Sequence, residues 1–182
     1  NEGGSLTPFM VDGNIVLLND IDASSIKEWV PAGTKTSPFT GNFDGKGHAI
    51  KNISWATDLA ESPYAGIFGY ARNASVVALN VGADGDVITL KGNAASVNAG
   101  AIVGYAEGGT VTGCTVRASQ SYAGTGSGGD IRLGGICGYS SANIENCTNR
   151  GNILCPVNAR TAGFVAYNDT LSCVQWCQYA RK

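Results

Sequence analysis

Ala65-Gly-Ile-Phe-Gly-Tyr70 is written four times along this chain, and its recurrence decides the fold. It returns as Gly100-Ala-Ile-Val-Gly-Tyr105, Gly134-Gly-Ile-Cys-Gly-Tyr139 and Ala162-Gly-Phe-Val-Ala-Tyr167, so successive tyrosines stand 35, 34 and 28 residues apart. A period in this range points to stacked units, because each must bury its apolar face on its neighbours. A second line follows each of the first: Val76-Val-Ala-Leu79, Val111-Thr-Gly-Cys114, Ile144-Glu-Asn-Cys147 and Val174-Gln-Trp-Cys177, with Ile50-Lys-Asn-Ile53 read as the start of the series. Leu79, Cys114, Cys147 and Cys177 are expected to form one interior column, headed by Ile53.

Composition selects strands over helices. Gly occupies 26 of 182 positions and charged residues only 14%, and no segment keeps apolar spacing of i, i+3, i+4, i+7 over three turns. Each unit instead holds short runs rich in Val, Ile, Thr and aromatics between Gly, Asn, Asp and Ser. The expectation is an all-β chain, a parallel β-helix (β-solenoid) of about five to six coils, in which identical side chains stack in columns. Ile67, Ile102, Ile136 and Phe164 form one such column, and Tyr70, Tyr105, Tyr139 and Tyr167 an edge ladder. A propeller is the rival, but its blades need longer repeats. Residues 54–64 and 117–130 read as loops inserted between coils. A net charge of −2 without a basic tract argues against nucleic acid, and no run of eighteen apolar residues suggests a membrane-spanning helix. The start, Asn1-Glu-Gly-Gly-Ser, reads as the cut end of a longer chain.

The N-terminal stretch reads differently. It runs Asn19-Asp-Ile-Asp22, then Trp29-Val-Pro-Ala-Gly33, then Phe39-Thr-Gly-Asn-Phe-Asp-Gly-Lys-Gly-His48. Together with the Gly-Ile-Phe-Gly-Tyr and Ile-x-Asn-Cys lines, these motifs resemble the GLUG-repeat family, from about residue 14 to 177. Those are extracellular bacterial proteins, common in Bacteroidetes and also found as non-catalytic segments of IgA-specific metalloproteases. The resemblance implies a right-handed solenoid: one domain over residues 1–182, with a capping coil at 1–53 and GLUG-type repeats over 54–182. It also implies a secreted or surface-anchored protein, with adhesion or display as its usual role and no defined catalytic site. The last coil departs from the pattern, since Ala166 stands where the line has Gly.

Candidate functional residues are few. Asp44-Gly45 and Lys46-Gly47 are turn dipeptides, with Asp44 expected to accept backbone N–H groups. His48, the single histidine, is read as structural, because no nucleophile or orienting group is nominated beside it. Asp20 and Asp22, with Asp84 and Asp86, are the acids a Ca²⁺ site would use. Neither the calcium-loop spacing nor the nonapeptide repeat occurs, so no metal and no cofactor are expected. The six cysteines lie at 114, 137, 147, 155, 173 and 177 without a Cys-x-x-Cys pair. They are read as reduced thiols, with Cys155–Cys173 as the pair to bridge if any does. Trp29 is assigned to packing within its turn. Trp55, Tyr64 and Tyr122 fall in the presumed loops, where aromatic rings stack on sugars or anchor a protein partner, and are the candidate ligand-binding residues.

The function expected is that of a non-catalytic extracellular module, adhesin-like, binding glycans or host surface proteins or serving as a spacer. It would be a monomeric domain of a larger exported protein. The alternatives are a polysaccharide lyase or hydrolase of β-helix type, which needs facing carboxylates, and an accessory domain of a secreted protease.

Overall fold

The Gly-Tyr lines become strands of one long sheet. Phe68–Val77, Val103–Thr112, Cys137–Ser140 and Val165–Asn168 lie side by side, preceded by Asn14–Val16 and Asn42–Asp44. A narrow sheet of six strands runs from Ile21–Asp22 to Gln178–Tyr179. A third sheet is built from Ala56–Asp58, Val87–Lys91, Ser119–Tyr122 and Ile153–Leu154. The fourth is built from Tyr64–Ala65, Ser96–Gly100, Asp130–Gly134 and Arg160–Ala162. The computed structural model describes residues 13–60, 63–92, 94–124, 130–155, 158–169 and 173–179. Among these every element is a strand and every strand pair is parallel, as a solenoid requires and a propeller forbids.

The coil count is lower than expected: about four turns pass through the four faces. The first stretch, up to Asp58, adds strands of two or three residues to the long, narrow and third sheets, and isolated bridges join Glu28 to Ala56 in the third sheet and Ala32 and Phe39 to Phe68 and Ala71 in the long sheet.

Register supports the columns read from sequence, with one correction. Tyr105 pairs with Tyr70 and with Tyr139, which pairs with Tyr167. Ile67, Ile102 and Ile136 are all buried on the inside of that row. The Leu79 column, however, is headed by His48 and not by Ile53. Asn80 N–H donates to the His48 carbonyl, Thr115 to Leu79, Thr148 to Cys114 and Gln178 to Cys147. Two extra residues, Lys46 and Gly47, lengthen that corner and shift the register, so Ile53 instead accepts from Val87 in the third sheet.

The two segments read as insertions each contribute strands to the walls. Residues 54–64 supply Ala56–Asp58 and begin Tyr64–Ala65, and 117–130 supply Ser119–Tyr122 and begin Asp130–Gly134. Residues 61–62 and 125–129 lie outside the described residues. Those strands make two of the four walls, which is why Trp55 and Tyr122 point inward, as described below.

Cys114, Cys137 and Cys147 are wholly buried free thiols, Cys177 is half-buried, and Cys173 is exposed with a free thiol, so the Cys155–Cys173 bridge is not formed. Burial pushes the Cys137 thiol up to about 12, and the Cys114 hydrogen bond together with burial pushes Cys147 up. At pH 8 a pKa near 12 leaves about one thiol in ten thousand ionised, against roughly a quarter at the ordinary value. Alkylation of the native chain by iodoacetamide should therefore mark Cys173 first and spare Cys114, Cys137 and Cys147 until denaturant is added. Peptide mass spectrometry reads the outcome, and early labelling at Cys137 would contradict the burial.

Candidate functional site

Where the fourth sheet turns into the long sheet, two side-chain columns meet. One is the tyrosine ladder, whose rings stack at 4.7, 4.2 and 5.1 Å between centroids and within 10° of parallel. The other is set by strand register as Tyr64, Asn98, Arg132 and Arg160. Gly69 and Gly104 permit the close approach of successive rungs, since a Cβ on Gly104 would lie 2.7 Å from the Gly69 carbonyl.

The columns are cross-linked. The Tyr64 ring stands edge-on to Tyr70 and Tyr105 at 5.2 and 5.8 Å. Arg132 lies over Tyr139 and Tyr167, 5.8 and 5.0 Å from their centroids, and Arg160 lies 5.7 Å from that of Tyr167. Arg132 also donates to Asn98 and Asp130, each at 3.1 Å. On the far side of the rings a row of carboxylates takes the phenols. Tyr70 Oη donates to Glu107 at 2.7 Å, with Arg72 on the same oxygen at 2.8 Å, and Tyr139 Oη donates to Asp169 at 2.7 Å. Burial and the Glu107 bond raise Tyr70 to about 12, and the Asp169 bond and burial raise Tyr139. Exposure grows along the ladder: Tyr70 is buried, Tyr105 and Tyr139 are half-buried, and Tyr167 is exposed beside exposed Arg160. The accessible part of the strip is therefore aromatic edges and guanidinium, a surface suited to hydroxyl-rich or anionic ligands.

Of the three aromatic residues expected at a binding site, the structure places one here. Tyr64 is half-buried in the strip. Trp55 is 1% exposed and stacked on Trp29 at 4.7 Å, and Tyr122 is 2% exposed. Trp55, just before Ala56–Asp58, and Tyr122, in Ser119–Tyr122, are both turned into the core, so the exposure expected of them does not hold. Sequence reading passed over Asn98, Arg132 and Arg160. Their common signal is position, since each stands seven residues before a ladder tyrosine.

Each described acidic side chain has a local partner. Asp22, Asp44, Asp58 and Asp86 accept backbone N–H groups at turns from Ser24, Lys46, Ala60 and Ala83. Asp20 takes Lys51 Nζ at 2.7 Å, Ala49 N–H at 2.9 Å and His48 Nδ1 at 3.3 Å. Glu28 pairs with Lys91, Asp84 with Arg117 at 4.0 Å, and Glu145 accepts from Gln175 in the next coil. Asp20 thus ties its coil to the next, Asp22 closes a turn, His48 stands at its corner with Nδ1 against Asp20, and among the described residues no three of His, Cys, Asp and Glu converge as a metal set.

These contacts have a pH signature. The Lys51 hydrogen bond, then that of Ala49, hold the Asp20 carboxyl down to about 2 from 3.8, and Asp22, Asp44 and Glu107 are lowered too. A carboxyl held low when folded stabilises the fold above its ordinary pKa and loses that contribution as pH falls through the folded value. Thermal melts should therefore show Tm constant from pH 7 to 5 and falling between pH 4 and 2. Asp20→Asn should lower Tm at pH 7 and flatten the acid limb. A variant with the full acid limb would show the contribution to lie elsewhere.

The family model described as the GLUG motif matches residues 129–154. No curated protein and no solved structure matches the chain. Among the described residues no helix is long and apolar enough to cross a membrane, which leaves β-barrels aside.

Proposed function

We propose that this chain is a non-catalytic module of an exported protein, adhesin-like, which presents the tyrosine–arginine strip to a glycan chain or a partner protein. The observation that carries the reading is the engagement of every described carboxylate. A glycosidase needs one acid with a raised pKa and a second about 5–10 Å away, both facing substrate. Here the resolved carboxylate shifts all run downward, and the acids tie turns and rungs together. The GLUG motif at 129–154 and the parallel solenoid support an extracellular setting. The strip supports the binding half of the reading. It is a column of edges and cations that is most open to solvent at Tyr167 and Arg160.

A glycan and matrix-protein array on the purified chain tests it. The expected result is binding to a restricted ligand set, lost in Arg160→Ala with an unchanged Tm. Release of oligosaccharides from any glycan on prolonged incubation would overturn the non-catalytic reading. Binding indifferent to Arg160 and to Tyr64→Ala would overturn the assignment to the strip.

A further inference from the structure

The exposed large apolar side chains among the described residues sit at the two ends of the solenoid. Val16, Leu18, Ile21 and Val30 lie in the first layer, and Leu154, Tyr167, Val174, Trp176 and Tyr179 in the last. The coils between them present none. Leu18 is 79% and Trp176 71% exposed, and they stand at the same corner, between the long and narrow sheets, at opposite ends.

That corner follows one rule from coil to coil. Leu17 N–H donates to the Asp44 carbonyl, Gly45 to Val77, Ala78 to Thr112, Gly113 to Glu145 and Asn146 to Gln175, at 2.8–3.2 Å. The next donor in the series is the Trp176 N–H, and the residue equivalent to those acceptors in the first coil is Val16. Side-chain columns run on in the same way. Phe43, Val76, Val111, Ile144 and Val174 are one column whose first member is Ile15. Ile50, Val81, Val116, Asn149 and Tyr179 are another whose first member is Ile21. The two ends are thus matching halves of the coil-to-coil interface that already holds the molecule together. Trp176 adds a second sign. It takes the left-handed corner conformation, φ 50°, held in other coils by Ala78, Gly113 and Asn146. A bulky, solvent-facing indole is a poor choice for such a backbone, and an apolar cover would account for it. At the same end of the solenoid the core opens into a cleft of about 400 Å³ bordered by Ile153, Phe164 and Tyr179, where the interior side chains of a further coil would fall.

We propose that the chain stacks head to tail on a second copy of itself, the last coil of one against the first coil of the next. The long and narrow sheets run across the joint, with Val16 O of one copy accepting from Trp176 N–H of the other. Leu18 and Trp176 meet over the corner. Because the two contacting surfaces differ, each copy keeps one unused end and the assembly grows as a column.

Sedimentation velocity over a wide concentration series tests this. The wild-type chain is expected to gain mass progressively with concentration. Leu18→Lys and Trp176→Lys each block one end, and each alone should remain monomeric with unchanged circular dichroism and Tm. An equimolar mixture of the two should form a one-to-one dimer and nothing larger, since each supplies the surface the other lacks. A wild-type chain monomeric throughout overturns the proposal without any variant. So do assembly that survives either substitution and a mixture that stays monomeric. A like-to-like dimer blocked by only one of the two changes would replace head-to-tail stacking with a symmetric contact.

Discussion

Gly100→Val should abolish the cooperative fold, or lower its stability by about 3 kcal/mol or more. Gly100 is buried in the fourth sheet, paired with Gly134, and a Cβ there would press on the Ile136 carbonyl and come within 2.5 Å of the Val103 carbonyl and 2.6 Å of the Cys137 Cα. These are backbone atoms, which cannot swing aside as a side-chain end can. The Ile136 carbonyl accepts from both Ile102 and Val103 N–H at 3.1 Å, so displacing it breaks two rung-to-rung bonds together. Parallel rungs are fixed at roughly 4.8 Å apart, and a local shift cannot be absorbed without parting the coils. Gly66 and Gly134 share this crowding, with a Cβ falling 2.6 Å from Gly100 O and Phe164 O respectively. The fourth member of the column is Ala162, in the last described coil, where no further described rung lies against it. Gly47→Ala is the matched comparison. Its φ is +79° and nothing lies within 4 Å of the added Cβ, so only the left-handed backbone is penalised, by about 1–2 kcal/mol. Chemical denaturation of the two variants separates close approach from backbone conformation. A Gly100→Val chain as stable as Gly47→Ala would show that the rungs can part.

The repeat line revealed most of this architecture because its side chains face either the core or the ladder, and identical neighbours reinforce one another from coil to coil. Tyr70 pairs with Tyr105 in space as it does in the text, and the Asp44 turn forms as its Asp-Gly composition demands. The third sheet was illegible for a physical reason. Ser119-Gln-Ser-Tyr122 alternates inward and outward as a strand should, yet one inward residue is Gln120, buried with its amide bonded to the Gly134 carbonyl at 2.8 Å. Thr57 is the inward residue of Ala56–Asp58. Polar side chains inside a wall erase the hydrophobic alternation that marks a strand, so these segments read as loops and their aromatics as exposed. The strip was missed from the opposite side. Arg132 and Arg160 belong to no motif, and only the register that brings them over the ladder gives them meaning.

Trp55→Ala should lower stability by about 3–5 kcal/mol, the usual range for emptying a core tryptophan site. At roughly 2–4 °C per kcal/mol for a chain of this size, Tm should fall by about 10 °C. The indole is 1% exposed and stacks on Trp29 at 4.7 Å and 17°, while Trp29 Nε1–H donates to the Gly66 carbonyl at 2.9 Å. Removing Trp55 thus opens a void and also frees the ring that ties the N-terminal stretch to the next coil. Its own carbonyl accepts from Thr89 N–H at 3.0 Å, which fixes the layer in which the damage falls. In a stacked-repeat protein each unit draws its stability from its neighbours, so the loss should appear first in the layers below Tyr64. The melt should broaden or divide, and hydrogen exchange should quicken over residues 14–58 before residues 96–149. Trp55→Phe, which keeps a ring against Trp29, should recover most of the loss. A small change in Tm with uniform exchange would mean that Trp55 is not a packing residue. Ligand binding that disappeared at a temperature where Trp55→Ala is still folded would return this tryptophan to the binding surface.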